Sequence, residues 1–152
     1  MPQLNRLTVI LVILLELVNI QAERTDIKPI DFNTVWRAIK QIESGNTHYD
    51  KNGGVHISRR GAIGIAQIKG CTVEFFNLHN GTDYKIADAF DRYVNERIGC
   101  WYFNWLWNRY DEKACAIMAY NVGHNSHLRP RKYLRKVLEA LDESQESRSE
   151  NY

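Results

Sequence analysis

The sequence predicts one mainly α-helical domain that follows an apolar N-terminal segment. The chain has 152 residues, 44% of them hydrophobic and 25% charged, which is enough for one globular domain with its own core. Apolar residues recur at helical spacing in several segments, and the longest of these covers residues 91–110. Residues 46–60 interrupt the pattern with glycine, asparagine and histidine. They are the place where a small β-hairpin fits, around "KNGG".

The first 22 residues have the pattern of a signal peptide. A weakly basic start is followed by an apolar run over residues 7–20, and Ala22 then offers a small residue for cleavage. The run is short for a membrane span and contains Glu16. We therefore predict that the chain is exported and that residues 1–22 are removed. The alternative is an uncleaved N-terminal membrane anchor, with membrane contact only through residues 7–20.

Three helices are predicted in the first half of the domain. Residues 32–44 place Trp36 and Ile39 on the apolar face of one helix. The short apolar segment 62–68 predicts a brief helix packed closely on its neighbours, and residues 71–78 predict another short helix.

Three further elements are predicted in the second half. Residues 91–110 form the longest predicted helix, and the almost wholly apolar residues 112–123 predict a buried central helix that ends at a glycine. Pro130 suits the first turn of a last helix that runs to about Leu141. Residues 142–152 are polar and are predicted to be a disordered tail.

The charge of the chain gives no sign of a nucleic-acid partner. The net charge is only +2, and no basic cluster interleaves with aromatic residues. The basic run over residues 129–136 could be such a patch, but it fits better the solvated face of the last helix. No nucleic acid is therefore expected among the partners.

Cys71, Cys100 and Cys115 match neither a zinc spacing nor a CxxC redox pair. In an exported protein, one disulfide and one spare thiol fit this number. Cys100 with Cys115 is the favoured pair, because consecutive helices would bring them near each other. The alternative is that all three are small buried hydrophobic residues.

Glu43 is the first candidate for chemistry, because it lies on the apolar face of the helix predicted over residues 32–44. It follows Ile39 by four residues and Trp36 by seven. Burial and the helix C-terminus both disfavour a charged carboxylate, and a carboxyl with a raised pKa is suited to donate a proton. The alternatives are a structural ion pair or a side chain turned out to solvent at the helix end.

Five short segments, in order, resemble the catalytic domain of the soluble lytic transglycosylases, which have a lysozyme-like fold. Each segment is weak alone, whereas their order and spacing together are specific, and they cover roughly residues 32–140. The resemblance implies a lysozyme-like single helical domain with a cleft over residues 23–141. The segments are "ESG" (43–45), "SRRGAIGIAQI" (58–68), "NERIGCWYF" (95–103), "AYNVG" (119–123) and "YLRKVL" (133–138).

The resemblance implies that Glu43 is the single catalytic acid. Ser58 would hydrogen-bond this acid and orient it, and an ordinary loop serine is the alternative. Gln67 would line the sugar cleft, where an amide can both donate and accept. Tyr120 would bring its hydroxyl near the acid, although a core-filling tyrosine is also consistent with its helix. Asn121, partly structural, and Tyr133, at the border of the cleft, complete the implied substrate-binding set.

Other positions match structural elements of the family. Ala66 stands where the family often has methionine, which is expected to widen the cleft. Two positions match sites of close backbone packing and three match a packing element on the longest helix: Gly61 and Gly64, and Asn95, Gly99 and Tyr102.

The resemblance implies a lytic transglycosylase that cleaves the β-1,4 bond between N-acetylmuramic acid and N-acetylglucosamine in peptidoglycan. Glu43 would act first as acid and then as base, and the product would end in a 1,6-anhydromuramyl ring. A two-carboxylate hydrolase is less favoured, because the loop after Glu43 offers only Asp50 before Glu74. The alternatives are a muramidase in which Asp50 or an unidentified acid places the water, or a non-catalytic wall-binding assembly protein with the same fold.

Glycan strands of peptidoglycan are the implied partner, in the periplasm or the cell envelope. Components of a secretion, pilus or phage assembly are further expected partners. No metal or other cofactor is expected. A zinc site at His124 and His127 would lack an evident third ligand, so both histidines are expected on the surface.

Overall fold

The computed structural model describes residues 31–149. Within these residues the chain has five α-helices and one 3-10 helix, and its β-structure is limited to isolated bridges. The predicted mainly α-helical class is confirmed. In chain order the elements are α1 (Phe32–Ser44), α2 (Gly70–Asn80), the 3-10 helix (Ile86–Phe90), α3 (Arg92–Arg109), α4 (Lys113–Val122) and α5 (Arg131–Ser149).

The predicted signal peptide, residues 1–22, lies outside the described residues, as do the last three residues of the predicted tail. None of the helices between residues 31 and 149 is both long enough and apolar enough to cross a membrane.

α3 is the central helix of the domain. It contacts α2, the 3-10 helix and α4, while α5 packs on α1 and α4. Ile98, Phe103 and Leu106 of α3 are fully buried. Burying a side chain of this size contributes roughly 1.5–3 kcal/mol relative to leaving it exposed. Packing of these α3 side chains therefore makes a large contribution to the stability of the domain.

Aromatic contacts fix the rotation of α1. The rings of Phe32 and Trp36 stack on Phe103 with centroids 5.2 and 5.9 Å away. Since Glu43 lies seven residues after Trp36, on the same helix face, this stacking also sets the direction in which the acid projects.

Residues 46–60 contain the predicted hairpin in its shortest form. Tyr49 and Val55 make one antiparallel bridge. The carboxylate of Asp50 accepts two backbone N–H bonds inside the turn, at 2.8 and 3.0 Å.

Residues 62–68 form a bridged loop, so the predicted brief helix is wrong. Ile63 and Ile68 exchange both backbone hydrogen bonds, at 2.9 and 3.0 Å. Gly64 and Gln67 have φ values of +73° and +48°, which a right-handed helix does not contain. The prediction failed because a short apolar run has the same composition in a buried loop as in a buried helix.

The last helix is longer than predicted. α5 continues to Ser149, beyond the expected end near Leu141, so residues 142–149 have helical backbone where the sequence predicts a disordered tail. On its exposed side Arg135 and Glu139 form an i,i+4 ion pair at 3.5 Å. Glu and Arg are good helix formers, so a polar composition did not distinguish a disordered segment from a solvated helix end.

All three cysteines carry free thiols, so the predicted Cys100–Cys115 disulfide is wrong. Cys100 lies nine residues before the end of α3 and Cys115 is the third residue of α4. Nine residues of helix span roughly 14 Å, so Cys100 lies far from the end of α3 after which α4 begins. Cys71 is exposed, so the alternative of three buried hydrophobic cysteines fails as well.

Candidate active site

An open cleft of about 760 Å³ runs along the domain. Its walls come from the end of α1, the loop over residues 58–69, the first turns of α2 and the segment that ends α4 and follows it. Five of the six predicted site residues line this cleft: Glu43, Ser58, Gln67, Tyr120 and Asn121.

Glu43 lies in the last turn of α1, at the edge of the cleft. The chain leaves the helix directly after it, because Gly45 and Asn46 both have left-handed backbone, with φ of +66° and +59°. Burial raises the pKa of Glu43 above its ordinary value, while a hydrogen bond from Tyr133 and the charge of Lys69 act in the opposite direction. Burial thus shifts the carboxyl towards its neutral form, while Tyr133 and Lys69 stabilise its anion.

Tyr133 is the group that orients Glu43. Its hydroxyl donates to Oε1 of Glu43 at 2.7 Å, although the two residues are 90 positions apart. The tyrosine is buried in the first turn of α5. Burial and the neighbouring Glu43 raise the pKa of Tyr133 well above its usual value, so it remains a donor. The sequence places Tyr133 at the border of the cleft, whereas the structure places it beside the acid and outside the cleft lining.

Ser58 lines the cleft but does not hold the acid. Its Oγ accepts the backbone N–H of Ala62 at 3.0 Å. The predicted bond to Glu43 is absent from the hydrogen bonds of the described residues, and Tyr133 takes that role. Gly61 closes the same turn with φ of +71° and no atom within 4 Å of an added Cβ. This glycine serves backbone conformation, and not the close packing that the sequence predicts.

Ser44 and His48 hold the loop over residues 62–68 from the side of α1. The hydroxyl of Ser44 donates to the carbonyl of Ile65 at 2.9 Å. Nδ1 of the buried His48 accepts the N–H of Ile65 at 3.2 Å, and Nε2 donates to the carbonyl of Phe90 at 2.9 Å. These two bonds place the ring proton on Nε2 and fix the orientation of the imidazole. Neither role is predicted from the sequence, because a serine at a helix end and a histidine in a polar loop carry no periodic signal.

Asn95 holds the same loop from α3. Its buried amide donates to the carbonyls of Ile63 and Ala89 at 2.8 and 2.9 Å and accepts the N–H of Ala66 at 3.0 Å. A Cβ on Gly64 would lie 2.4 Å from the Asn95 amide nitrogen, so the expected close approach at Gly64 is confirmed. The predicted packing role of Asn95 is thus a hydrogen-bonding role.

Gln67 emerges from this anchored loop into the cleft. Its Nε2 donates to the carbonyl of Gly64 at 2.8 Å, which leaves the amide oxygen to accept from a ligand. Its left-handed φ of +48° is uncommon for a residue with a side chain. The anchoring bonds therefore keep a strained residue at the cleft surface.

Tyr120 connects the loop to α4. Its hydroxyl donates to the carbonyl of Ala66 at 2.7 Å, and its ring meets Trp36 edge to face at 5.8 Å. Burial, and then the charge of Glu43, raise its pKa well above the ordinary value. Ala66 is buried and outside the cleft lining, so its small side chain does not widen the cleft as expected. Asn121, next along the chain, is exposed at the cleft surface.

His124 is half-buried and lines the cleft beside an aromatic cluster, while His127 is exposed. The ring of His124 lies 4.6 Å from that of Phe75 and 5.0 Å from that of Trp105. Its Nδ1 is 3.3 Å from the hydroxyl of Tyr102, and burial raises the pKa of Tyr102 to about 12. Burial, and then the charge of Arg109, lower the pKa of His124 below its ordinary value.

The charges along the cleft are strongly asymmetric. Among the described residues that line it, Glu43 is the only one with a carboxyl group, while Arg59, Arg60 and Lys69 are cationic. The sequence does not predict a role for these three cations, because each lies in a loop without periodicity.

A protein-family model matches most of the chain. The family model of the transglycosylase SLT domain matches residues 22–142, which include every predicted site residue. No curated protein and no solved structure matches the chain significantly. The matched family has lytic transglycosylase-type activity directed at peptidoglycan, and its fold is lysozyme-like. The match spans most of the sequence, so the chain belongs to the transglycosylase SLT domain family.

Proposed function

We propose that this chain cleaves the β-1,4 bond between N-acetylmuramic acid and N-acetylglucosamine by lytic transglycosylation, with Glu43 as the catalytic residue. The observation that carries the proposal is the half-buried, lone carboxyl of Glu43 in a cleft whose other charged side chains are cations. A hydrolase of the usual type needs two carboxylates about the scissile bond, whereas transglycosylation needs one.

In the first step, protonated Glu43 donates its proton to the glycosidic oxygen as the bond from that oxygen to C1 of the muramic acid breaks. Burial raises the pKa of Glu43 above its ordinary value, which favours the protonated form that a general acid needs. The acetamido group of the same sugar stabilises the positive charge that develops at C1. The leaving N-acetylglucosamine takes the proton and departs as an alcohol.

In the second step, the Glu43 carboxylate removes the proton of the C6 hydroxyl, and that oxygen bonds to C1. This closes the 1,6-anhydro ring and returns Glu43 to its protonated form, with no water consumed. The Tyr133 hydrogen bond and the charge of Lys69 stabilise the carboxylate between the two steps. Attack within one sugar has a large effective concentration, which compensates for the lack of a second carboxylate.

Asp50 is poorly suited to the rival hydrolytic mechanism. Its carboxylate accepts two N–H bonds inside its own turn, and it lies outside the lining of the cleft. A water-activating base must reach the cleft, so this position favours transglycosylation over a muramidase that uses Asp50.

The biological setting of the proposal follows from the substrate. An enzyme that acts on peptidoglycan works in the periplasm or cell envelope, consistent with export directed by residues 1–22. Opening the wall locally would serve a secretion, pilus or phage assembly, whose components are the proposed protein partners.

The role of Glu43 is tested by the Glu43→Gln variant on purified peptidoglycan. We expect release of soluble muropeptides to fall at least a thousandfold, while sedimentation with the insoluble wall is retained. Glu74→Gln, at an exposed position on α2, is the matched control and should keep wild-type activity. Normal cleavage by Glu43→Gln would show that the acid is misassigned, and inactivity of the wild-type protein would favour a wall-binding role.

A further inference from the structure

The cleft carries three cations, and the proposed mechanism uses only one of them, Lys69. Arg59, Arg60 and Lys69 are exposed side chains in its lining. Within residues 31–149, the ion pairs join Lys40 to Glu96 and Arg135 to Glu139, so none of the three cations is paired there. The charge of Lys69 lowers the pKa of Glu43, whereas neither arginine is among the groups that shift this pKa.

The two arginines lie at the tip of a turn that is held by three hydrogen bonds. Ser58 and Ala62 exchange a backbone bond at 2.8 Å and a side-chain bond at 3.0 Å, and Gly61 donates to the Ser58 carbonyl at 2.9 Å. These three bonds fix the base of the turn. A fixed base lowers the conformational cost of ordering the arginines on a ligand.

Lys69 extends the positive region along the same cleft. It directly precedes α2, and the N-terminal end of this helix adds positive potential at the same place. Because Glu43 is the sole carboxyl in the described lining, the three cations give this lining a net positive charge even when Glu43 is ionised, which favours a positive potential over the cleft.

The sugar rings of the glycan are uncharged, so binding them does not require a positively charged cleft. N-acetylglucosamine is neutral, and the negative charges of a peptidoglycan strand are carboxylates on the 3-O-lactyl substituent of muramic acid. That substituent carries either one free carboxylate or a peptide stem with several. Arginine pairs with carboxylates in a bidentate manner, which makes it the side chain suited to such a ligand.

We propose that Arg59 and Arg60, supported by Lys69, bind the carboxylates of the peptide stem, so that the cleft selects stem-bearing glycan over stem-free glycan. This inference rests on the proposed function, since it concerns the substrate of the same cleft. It assigns to the turn over residues 58–61 a role in specificity that is separate from the chemistry at Glu43.

The test compares two glycan preparations, both free of accessory wall polymers. One keeps its stems, and the other has been treated with an amidase, which leaves one lactyl carboxylate on each muramic acid. We expect the wild-type kcat/KM to be at least tenfold higher on stem-bearing strands. In the variant Arg59→Gln/Arg60→Gln we expect this ratio to fall at least fivefold, mainly through KM, and to lose most of its salt dependence.

Arg135→Gln is the matched control, because Arg135 is an exposed arginine of α5 outside the cleft. It should keep the wild-type ratio. An unchanged ratio in a folded double variant, checked by its thermal unfolding midpoint, would overturn the inference. A loss that is equal on both preparations would also overturn it, because the arginines would then serve the sugar or the single lactyl carboxylate.

A binding measurement separates this inference from the proposed function. In the Glu43→Gln background, calorimetry should give at least tenfold tighter binding of stem-bearing than of stem-free fragments, and the two arginine substitutions should abolish this difference. If the wild-type protein cleaves neither preparation and the preference in binding persists, the proposed function fails and the stem site stands. If cleavage occurs and no preference is found by either method, the stem site fails alone.

Discussion

The contact between α3 and the 62–68 loop can be tested by adding one methyl group at Gly99. A Cβ at this position would lie 2.3 Å from Cβ of Ala66 and 3.2 Å from both Cη2 of Trp36 and the hydroxyl oxygen of Tyr120. Non-bonded carbons pack at about 3.5–4.0 Å, so Ala66 would have to retreat by more than about 1 Å. Its N–H is bonded to Asn95 and its carbonyl to Tyr120, so this retreat breaks bonds that position the loop.

Two effects of opposite sign determine the stability of Gly99→Ala. Replacing glycine in a helix interior gains up to about 1 kcal/mol in helix propensity. Overpacking a tight contact costs about 1–3 kcal/mol. Because the clash involves a tethered backbone segment and not the end of a flexible side chain, we take the upper part of that range. We expect a net loss of about 2 kcal/mol in the free energy of unfolding.

The assay is urea denaturation followed by tryptophan fluorescence, with Gly70→Ala as the matched control. Gly70 has no atom within 4 Å of an added Cβ and no left-handed φ, so this variant should stay within about 0.5 kcal/mol of wild type. Adding Ala66→Gly to Gly99→Ala removes the facing methyl group. The double variant should therefore be more stable than Gly99→Ala by at least about 1 kcal/mol.

Two results would refute this reasoning. If Gly99→Ala is as stable as wild type or more stable, helix propensity outweighs the contact and the packing is looser than described. If Ala66→Gly fails to rescue it, the methyl–methyl clash is not the source of the loss.

Three further predictions concern the acid and its supports. Tyr133→Phe removes the hydrogen bond that lowers the pKa of Glu43, so the basic limb of the pH profile of kcat/KM should move to higher pH. The control is Tyr93→Phe at an exposed position. A basic limb that does not move would contradict the assigned bond. Folded Glu43 has a pKa above its ordinary 4.5, so the folded state holds more protons and wild-type stability should fall relative to Glu43→Gln as pH rises above that value. Urea midpoints across pH measure this, and a parallel dependence in both proteins would disprove the raised pKa. Asn95→Ala leaves three backbone groups without their partner, so urea denaturation should show a loss of about 3 kcal/mol in the free energy of unfolding. Asn104→Ala, at an exposed position, should leave this free energy almost unchanged. Equal losses in the two variants would argue against the buried network.

The helices that pack on the core could be predicted, because their apolar residues repeat at helical spacing over ten or more residues. α1 is the clearest example: the positions of Trp36 and Ile39 fixed the face on which Glu43 lies, and the observed bounds match the expected ones. The segment over residues 62–68 could not be assigned, since seven residues are too few for a period. Its shape depends on Ser44, His48 and Asn95, which are distant in sequence.

The sequence predicted which residues belong to the site more readily than which of them contact each other. The motifs indicated that Glu43, Gln67 and Tyr120 belong together, and all three line the cleft. The partner of the acid was assigned to Ser58, whereas the observed donor is Tyr133. A contact between residues 43 and 133 arises only when α5 packs against α1, and a pattern along the chain does not contain that information.

The central claim is that one carboxyl performs both proton transfers without a water nucleophile, and the products of digestion in H₂¹⁸O test it most directly. Mass spectrometry of the muropeptides should find 1,6-anhydromuramyl ends, lighter than reducing ends by one water and free of ¹⁸O, in wild type and none in Glu43→Gln. Reducing ends that carry ¹⁸O would contradict the account, because they would identify a hydrolase that activates water with a second group.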